Sequence, residues 1–217
     1  MGFSGQYTEV VIIGAGIAGL SAAKTLKKSG VSFHVLEASH RLGGRAYSEE
    51  IARNNWFDLG CSYLHNGKIN PFTKIASKIN FPIDTNNGAL FDTKNTHYFS
   101  GGKQIYLSSP NPFDKANDRL LNKIGKLETD RPLLASMDIN DPYFSVFCHL
   151  MGSLNAADPD LVSSEDYMAS IYDGPDYPVP KGFGNLIKEW GRDINVSFNA
   201  KVNQINWEGP LLKLVTS

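Results

Sequence analysis

The apolar run Val10-Val-Ile-Ile13 follows Glu9 and ends at Gly14, the pattern of a parallel strand buried on both faces. Ile17, Leu20, Ala23 and Leu26 then recur at helical spacing, and Ser29-Gly30 supplies the stop, with Gly30 suited to the left-handed position past a helix end. Val31 to Leu36 is a second apolar run. Two such strands joined by one helix predict a right-handed βαβ unit, and a second Gly-rich loop follows it.

Periodicity is weaker in the middle of the chain. Asn70-Pro71 reads as N-cap and first residue of a short helix ending at Lys78. Residues 89–107 predict a hairpin or meander turning at Gly101-Gly102, and residues 112–128 and 141–154 carry helical apolar spacing. Ser163 to Asp166 has the form of a capping box ahead of another short helix. Regular structure then returns: a helix over Asn185–Arg192, and strands at Val196–Phe198, Lys201–Trp207 and Leu211–Thr216, the last two forming a hairpin around Glu208-Gly209-Pro210. Three blocks result, 1–66, 67–178 and 179–217, the outer two regular and the middle one rich in Pro and Asn.

Composition adds exclusions. With 41% apolar and 20% charged residues the 217-residue chain is globular in character, and at this size it can bury a core without staples. The net charge of −1 offers no basic excess for nucleic acid or an anionic membrane. Two cysteines, Cys61 and Cys148, make neither a disulfide scaffold nor a Cys-rich zinc site, and no metal cluster or Ser/His/Asp triad stands out. The N-terminus has no signal-peptide pattern, Gln6 breaks a myristoylation signal, and no apolar run is long enough to span a bilayer. The expectation is a soluble cytoplasmic protein.

The chemistry begins at Gly14-Ala-Gly16-Ile-Ala-Gly19, which leaves a strand and opens a helix. In that context the first glycine permits the tight turn, the second lets a pyrophosphate approach the backbone, and the third lets helix and strand pack closely. The helix N-terminus presents free N–H groups to the phosphates. Glu37 closes the second strand, 23 residues after Gly14, where a carboxylate accepts ribose hydroxyls and repels a 2′-phosphate. Arg41-Leu-Gly43-Gly44-Arg45 starts four residues later, with two glycines for close approach and two fork-shaped cations for phosphate. A nicotinamide dehydrogenase has no evident need for that second loop, whereas a flavin dinucleotide held along its length does.

These residues carry a family resemblance. Gly14–Ala23 (GAGIAGLSAA), Leu36–Ala38 (LEA), Arg41–Arg45 (RLGGR) and Phe57–His65 (FDLGCSYLH) resemble the flavin-containing amine oxidases, the monoamine and polyamine oxidases. Val179–Ile187 with Ala200–Ile205 resembles that family's return to the FAD domain, while residues 67–178 match loosely. The resemblance implies an α/β fold: a Rossmann-like FAD-binding βαβ core (1–66, with a return segment 179–217) and an inserted α+β substrate domain (67–178, partial), incomplete at the C-terminus.

The resemblance also implies roles. Gly14, Gly16 and Gly19 cradle the pyrophosphate and Glu37 holds the adenosine ribose. Gly44 and Arg45 contact the diphosphate and ribityl region with Arg41 in support. Gly60, Cys61 and Ser62 lie against the isoalloxazine ring, and the Val202 main chain meets the adenine. The family usually has Ala where Cys61 stands, and its covalent flavin link lies in its later half, so the FAD expected here is noncovalent. Tyr63 and His65 fall at substrate-channel positions, although a lone histidine after an apolar stretch is more often structural. Asp58, Asp158 and Asp160 read as solvated or capping groups, and Tyr167, Tyr172 and Tyr177 as packing.

The implied reaction moves a hydride from the carbon beside an amine nitrogen to flavin N5, with O2 reoxidising the flavin to give H2O2. The substrate is a small amine. The family's catalytic lysine and substrate-flanking aromatics belong to its later half, so no catalytic residue is assigned here. The chain then reads as the N-terminal part of such an enzyme, working with a missing C-terminal half or a partner chain. A related FAD-dependent desaturase and a non-catalytic FAD-binding half-subunit of a split enzyme are the alternatives.

Overall fold

A computed structural model describes residues 7–86, 98–100, 102–105, 112–171 and 174–217. The chain divides into two compact units, one of residues 1–88 with 174–217 and one of residues 89–173.

The first unit opens with β1 (Val10–Ile13), α1 (Ile17–Ser29) and β2 (Phe33–Leu36). β1 and β2 pair in parallel with Val10 opposite Phe33, so the predicted βαβ geometry holds. Gly30 ends α1 in the left-handed conformation (φ 71°) and donates to the Leu26 and Lys27 carbonyls, a Cβ-free position as expected. The second loop leads into a hairpin of β3 (Ser48–Ala52) and β4 (Asn55–Asp58), then β5 (Tyr63–Leu64) and α2 (Pro71–Lys78). The Asn70 side chain accepts from the Phe72 N–H and Pro71 starts α2.

In the inserted unit, β6 (Tyr98–Ser100) and β7 (Lys103–Ile105) form a hairpin. The rest of the expected 89–107 meander, Gly101 included, lies outside the described residues. α3 (Pro112–Ile124), a 3-10 turn (Leu133–Ser136), α4 (Phe144–Asn155) and α5 (Ser164–Ser170) follow. They close a small core of Leu120, Ile124, Leu133, Phe147 and Met151, with Tyr167 packed against it. Ser163 caps α5 by accepting from the Asp166 N–H at 3.0 Å.

The chain returns to the first unit through β8 (Tyr177–Pro178), which pairs antiparallel with β5. α6 (Phe183–Gly191), β9 (Val196–Ser197) and the hairpin β10 (Val202–Asn206) and β11 (Lys213–Thr216) complete it. β9 adds in parallel beside β2, giving the sheet order β1-β2-β9. Leu20 and Ala23 of α1, Leu186 and Ile187 of α6, Val35 and Ile12 form its core, with Tyr177 buried among them. Tyr172 lies outside the described residues.

Two expectations are corrected. β1 is not buried on both faces: Val10 and Ile12 join the core, whereas the alternate residues Val11 and Ile13 are 38% and 52% exposed. The boundary expected at residue 67 also falls later, because Phe72, Ile79, Phe81 and Ile83 pack on the first unit's core and hold residues 67–86 there. No helix among the described residues is long and apolar enough to cross a membrane.

Candidate dinucleotide site

The turn after β1 is shaped by its glycines. Gly14 has φ 98° and donates to the Leu36 carbonyl at 2.7 Å, seating the turn on the end of β2. A Cβ on Gly19 would collide with the Gly14 carbonyl oxygen, so the third glycine is what lets α1 fold back on β1. Cβ atoms on Gly14 and Gly16 would meet nothing within 4 Å: the outer side of the turn is open. α1 has Gly16 at its N-cap and no side-chain cap, and an α-helix leaves its first N–H groups without intrahelical partners at its positive end. An open glycine surface beside such a terminus can receive an anion.

The second glycine loop lies directly on the first. Gly43 donates to the Ala15 carbonyl at 2.9 Å, Gly16 and Gly43 pair in parallel, and a Cβ on Gly44 would stand 3.4 Å from the Gly16 Cα. Arg41 turns inward: its guanidinium donates to the carbonyls of Gly44 (2.9 Å) and Leu42 (3.3 Å) and stacks 4.0 Å from the Tyr47 ring centre. Arg41 thus shapes the loop from within. Arg45 is exposed, and its side chain has no hydrogen-bond or ion-pair partner among the described residues.

Glu37 links the two loops. Its Oε2 accepts from the Ala15 N–H at 2.7 Å, and its Oε1 accepts from the Ser39 N–H and Oγ–H, both at 2.8 Å. Burial works to raise the Glu37 carboxyl, but the Ser39 and Ala15 N–H groups, the Ser39 hydroxyl and the Arg41 charge outweigh it and hold the group below the ordinary carboxyl range. Glu37 is therefore an anchored carboxylate. The return segment runs alongside: Glu37 N–H donates to Ser197 O, Asn199 N–H to Ser39 O and Ala200 N–H to Glu37 O, each at 2.9 Å. Half-buried Val202 opens β10 two residues later.

The segment Gly60–Ser62 continues the same surface. Cys61 N–H donates to the Arg45 carbonyl at 3.2 Å, and a Cβ on Gly60 would collide with that oxygen. Ser62 Oγ donates to the Gly60 carbonyl, and the Cys61 thiol is exposed. Tyr63 pairs with Pro178 in the β5–β8 ladder, and the His65 ring, 62% exposed, has Nδ1 3.0 Å from Asp176. The structure thus brings Gly14, Gly16, Glu37, Arg41, Gly44, Arg45, Gly60 and Cys61 into one chain of contacts, Glu37 and Arg41 joining it through their side chains, while Tyr63 pairs with Pro178 and His65 with Asp176.

Sequence reading did not single out Ser39, whose signal is a hydroxyl residue two positions after an acid, a local turn pattern. It also missed Ser48, which donates to Asp58 and accepts from the Gly184 N–H.

A family model described as an NAD(P)-binding Rossmann-like domain matches residues 12–78. A flavin-containing amine oxidase of Danio rerio is 50% identical over 56 residues, 26% of this chain and 11% of that protein. The resemblance is to flavin-containing amine oxidases. Polyamine oxidase 2 of Arabidopsis thaliana is 28% identical over 145 residues, covering 64% of this chain and 29% of its own length. The solved cyclohexylamine oxidase of Brevibacterium oxydans IH-35A superposes with a TM-score of 0.67 at 17% identity, over 98% of this chain and 55% of that one. A putrescine oxidase solved with putrescine gives 0.64, also at 17% identity, over 96% and 54%. The chain therefore spans just over half the length of the two solved oxidases, whose fold it shares over that part, and its matches cover 11% and 29% of the two curated relatives.

Proposed function

We propose that this chain carries the ADP-binding part of an FAD-dependent oxidoreductase that oxidises small amines. The observation that supports this most is the apposition of the two glycine loops with Glu37 anchored between them. The residues present fit a dinucleotide. Gly14 and Gly16 offer open backbone, the α1 terminus offers N–H groups, Arg45 offers an unengaged cation, and Glu37 offers an ionised acceptor.

In this reading Gly14, Gly16 and Gly19 hold the diphosphate with Arg45, and Arg41 keeps the second loop in shape. Glu37 receives the adenosine ribose, the Val202 main chain meets the adenine, and Gly60, Cys61 and Ser62 lie against the ring system. Tyr63 and His65 stand toward the amine channel. FAD, bound noncovalently, would supply the hydride acceptor for the carbon beside the amine nitrogen and return its electrons to O2 as H2O2. The protein's part is to bind and orient.

The test is Arg45→Lys against Arg53→Lys. A point charge cannot reproduce the planar fork, so Arg45→Lys should weaken FAD binding in a fluorescence titration while Arg53→Lys, outside the loops, leaves it unchanged. Equal effects at both positions reject this reading, and tighter binding of NADH than FAD by the parent chain would move it to a nicotinamide cofactor.

A further inference from the structure

We propose that Ser39 is a positioning residue for the nucleotide, fixing the Glu37 carboxylate so that its free acceptor site faces a ribose diol. This rests on the reading of Glu37 as the ribose acceptor. A glutamate side chain has three torsions, and half-exposed at a strand end it would sample several orientations. Here it does not. Oε1 is held by two donors of Ser39, the N–H and the hydroxyl, each at 2.8 Å. Oε2 is held by one donor, the Ala15 N–H. A carboxylate has about four in-plane acceptor sites. Three are filled by protein, and the remaining one is on Oε2, the oxygen bonded to the phosphate-binding turn.

Ser39 is itself fixed from two sides. Its carbonyl accepts from Asn199 N–H at 2.9 Å, and with its one hydroxyl proton given to Glu37 its Oγ accepts from the Arg41 N–H at 3.4 Å. One serine therefore joins the end of β2, the second glycine loop and the return segment at the acceptor of the site. Pre-orienting an acceptor in this way contributes affinity by removing the ordering cost at binding.

The probes are ADP and 2′,3′-dideoxy-ADP, titrated calorimetrically into the full chain and into Ser39→Ala, Ser39→Cys, Ser39→Thr, Glu37→Ala and the Ser39→Ala/Glu37→Ala double variant. Losing one neutral donor to a charged acceptor should weaken ADP about three- to tenfold in Ser39→Ala and Ser39→Cys. Ser39→Thr, which keeps the hydroxyl, should restore it. Dideoxy-ADP, lacking the diol, should bind the parent and the Ser39 single variants alike, and Ser39→Ala should add no loss of ADP binding in the Glu37→Ala background.

Equal weakening of both probes would reduce Ser39 to general support of the loop and overturn the proposal, as would unchanged ADP binding in Ser39→Ala and Ser39→Cys. ADP is common to flavin and nicotinamide dinucleotides, so preference for NADH over FAD would overturn the flavin reading and leave this one standing. A parent chain that binds no ADP overturns both.

Discussion

Glu37 carries structural and binding duties on one carboxylate. Its bond to the Ala15 N–H clamps the glycine turn, and the charge that makes the clamp strong is the charge a ribose hydroxyl would meet. Removing a hydrogen-bonded charge costs about 1.5–3 kcal/mol, roughly ten- to a hundredfold in affinity. Glu37→Ala should lose FAD binding by that factor in isothermal titration, and unchanged binding would retire the assignment. The group also sets a pH dependence. Its folded pKa lies below the unfolded value of about 4.3, so its contribution is complete above that pH and is lost as pH falls through the folded value. The Ala15 amide nitrogen shift should therefore move only in acid below the ordinary glutamate range, and stay flat in Glu37→Gln. Gly14 makes a sharper demand. With φ at 98° and open space around it, Gly14→Ala fails from backbone strain and not from a clash, so heat denaturation as well as FAD binding should suffer.

At the scale of elements, α6 is fastened to the β3–β4 hairpin by polar groups rather than by propensity. Asp58 accepts from the Phe183 N–H through Oδ1 at 2.9 Å and Oδ2 at 3.2 Å, capping α6 from a distant strand, and it also accepts from the Ser48 hydroxyl. Ser48 Oγ takes the next free amide, Gly184 N–H, at 2.8 Å. Asp58→Ala should lower unfolding free energy by about 1.5–3 kcal/mol in a urea titration, since it strands an amide at the helix start. Gly184 is where the helix meets the hairpin most closely: a Cβ there would stand 2.5 Å from the Ser48 nitrogen and 2.7 Å from the Tyr47 Cα. Gly184→Ala should destabilise the chain despite alanine's higher helix propensity, and a gain in stability would mean that the contact relaxes. Sequence periodicity revealed α1, β2, α2 and α6 because each carries an apolar stripe or a cap that can be read locally. It did not reveal β3–β4, because Ser48–Asp58 is mostly exposed, without an apolar face, and is held by hydrogen bonds to a helix 125 positions away. The glycine loops were legible for the opposite reason: positive φ and close backbone approach leave glycine as the signature.

At the scale of the whole molecule, the order β1-β2-β9 with all strands parallel has the arrangement found in one half of a doubly wound sheet. In such sheets the ligand crevice forms at the switch point, beside the first strand, where the second half of the sheet begins. Here β1 has no neighbour on its outer edge among the described residues, and Val11 and Ile13 are exposed on its face. The β10–β11 hairpin exposes further apolar groups, with Trp207 and Leu212 more than 70% accessible. Open apolar strands favour pairing with other chains. A crevice with one wall can hold the ADP end of a dinucleotide, but among the described residues no strand pairs with the outer edge of β1 to help enclose a reacting ring and an amine, and water exclusion is part of what such a site must supply. Residues 1–217 alone, given excess FAD and a panel of mono-, di- and polyamines, should therefore release no sustained peroxide, and should self-associate as concentration rises in sedimentation. Supplying the remaining half of a related oxidase, fused or as a separate chain, should suppress that association. Sustained peroxide production by the purified chain would show that its open sheet does enclose a complete site.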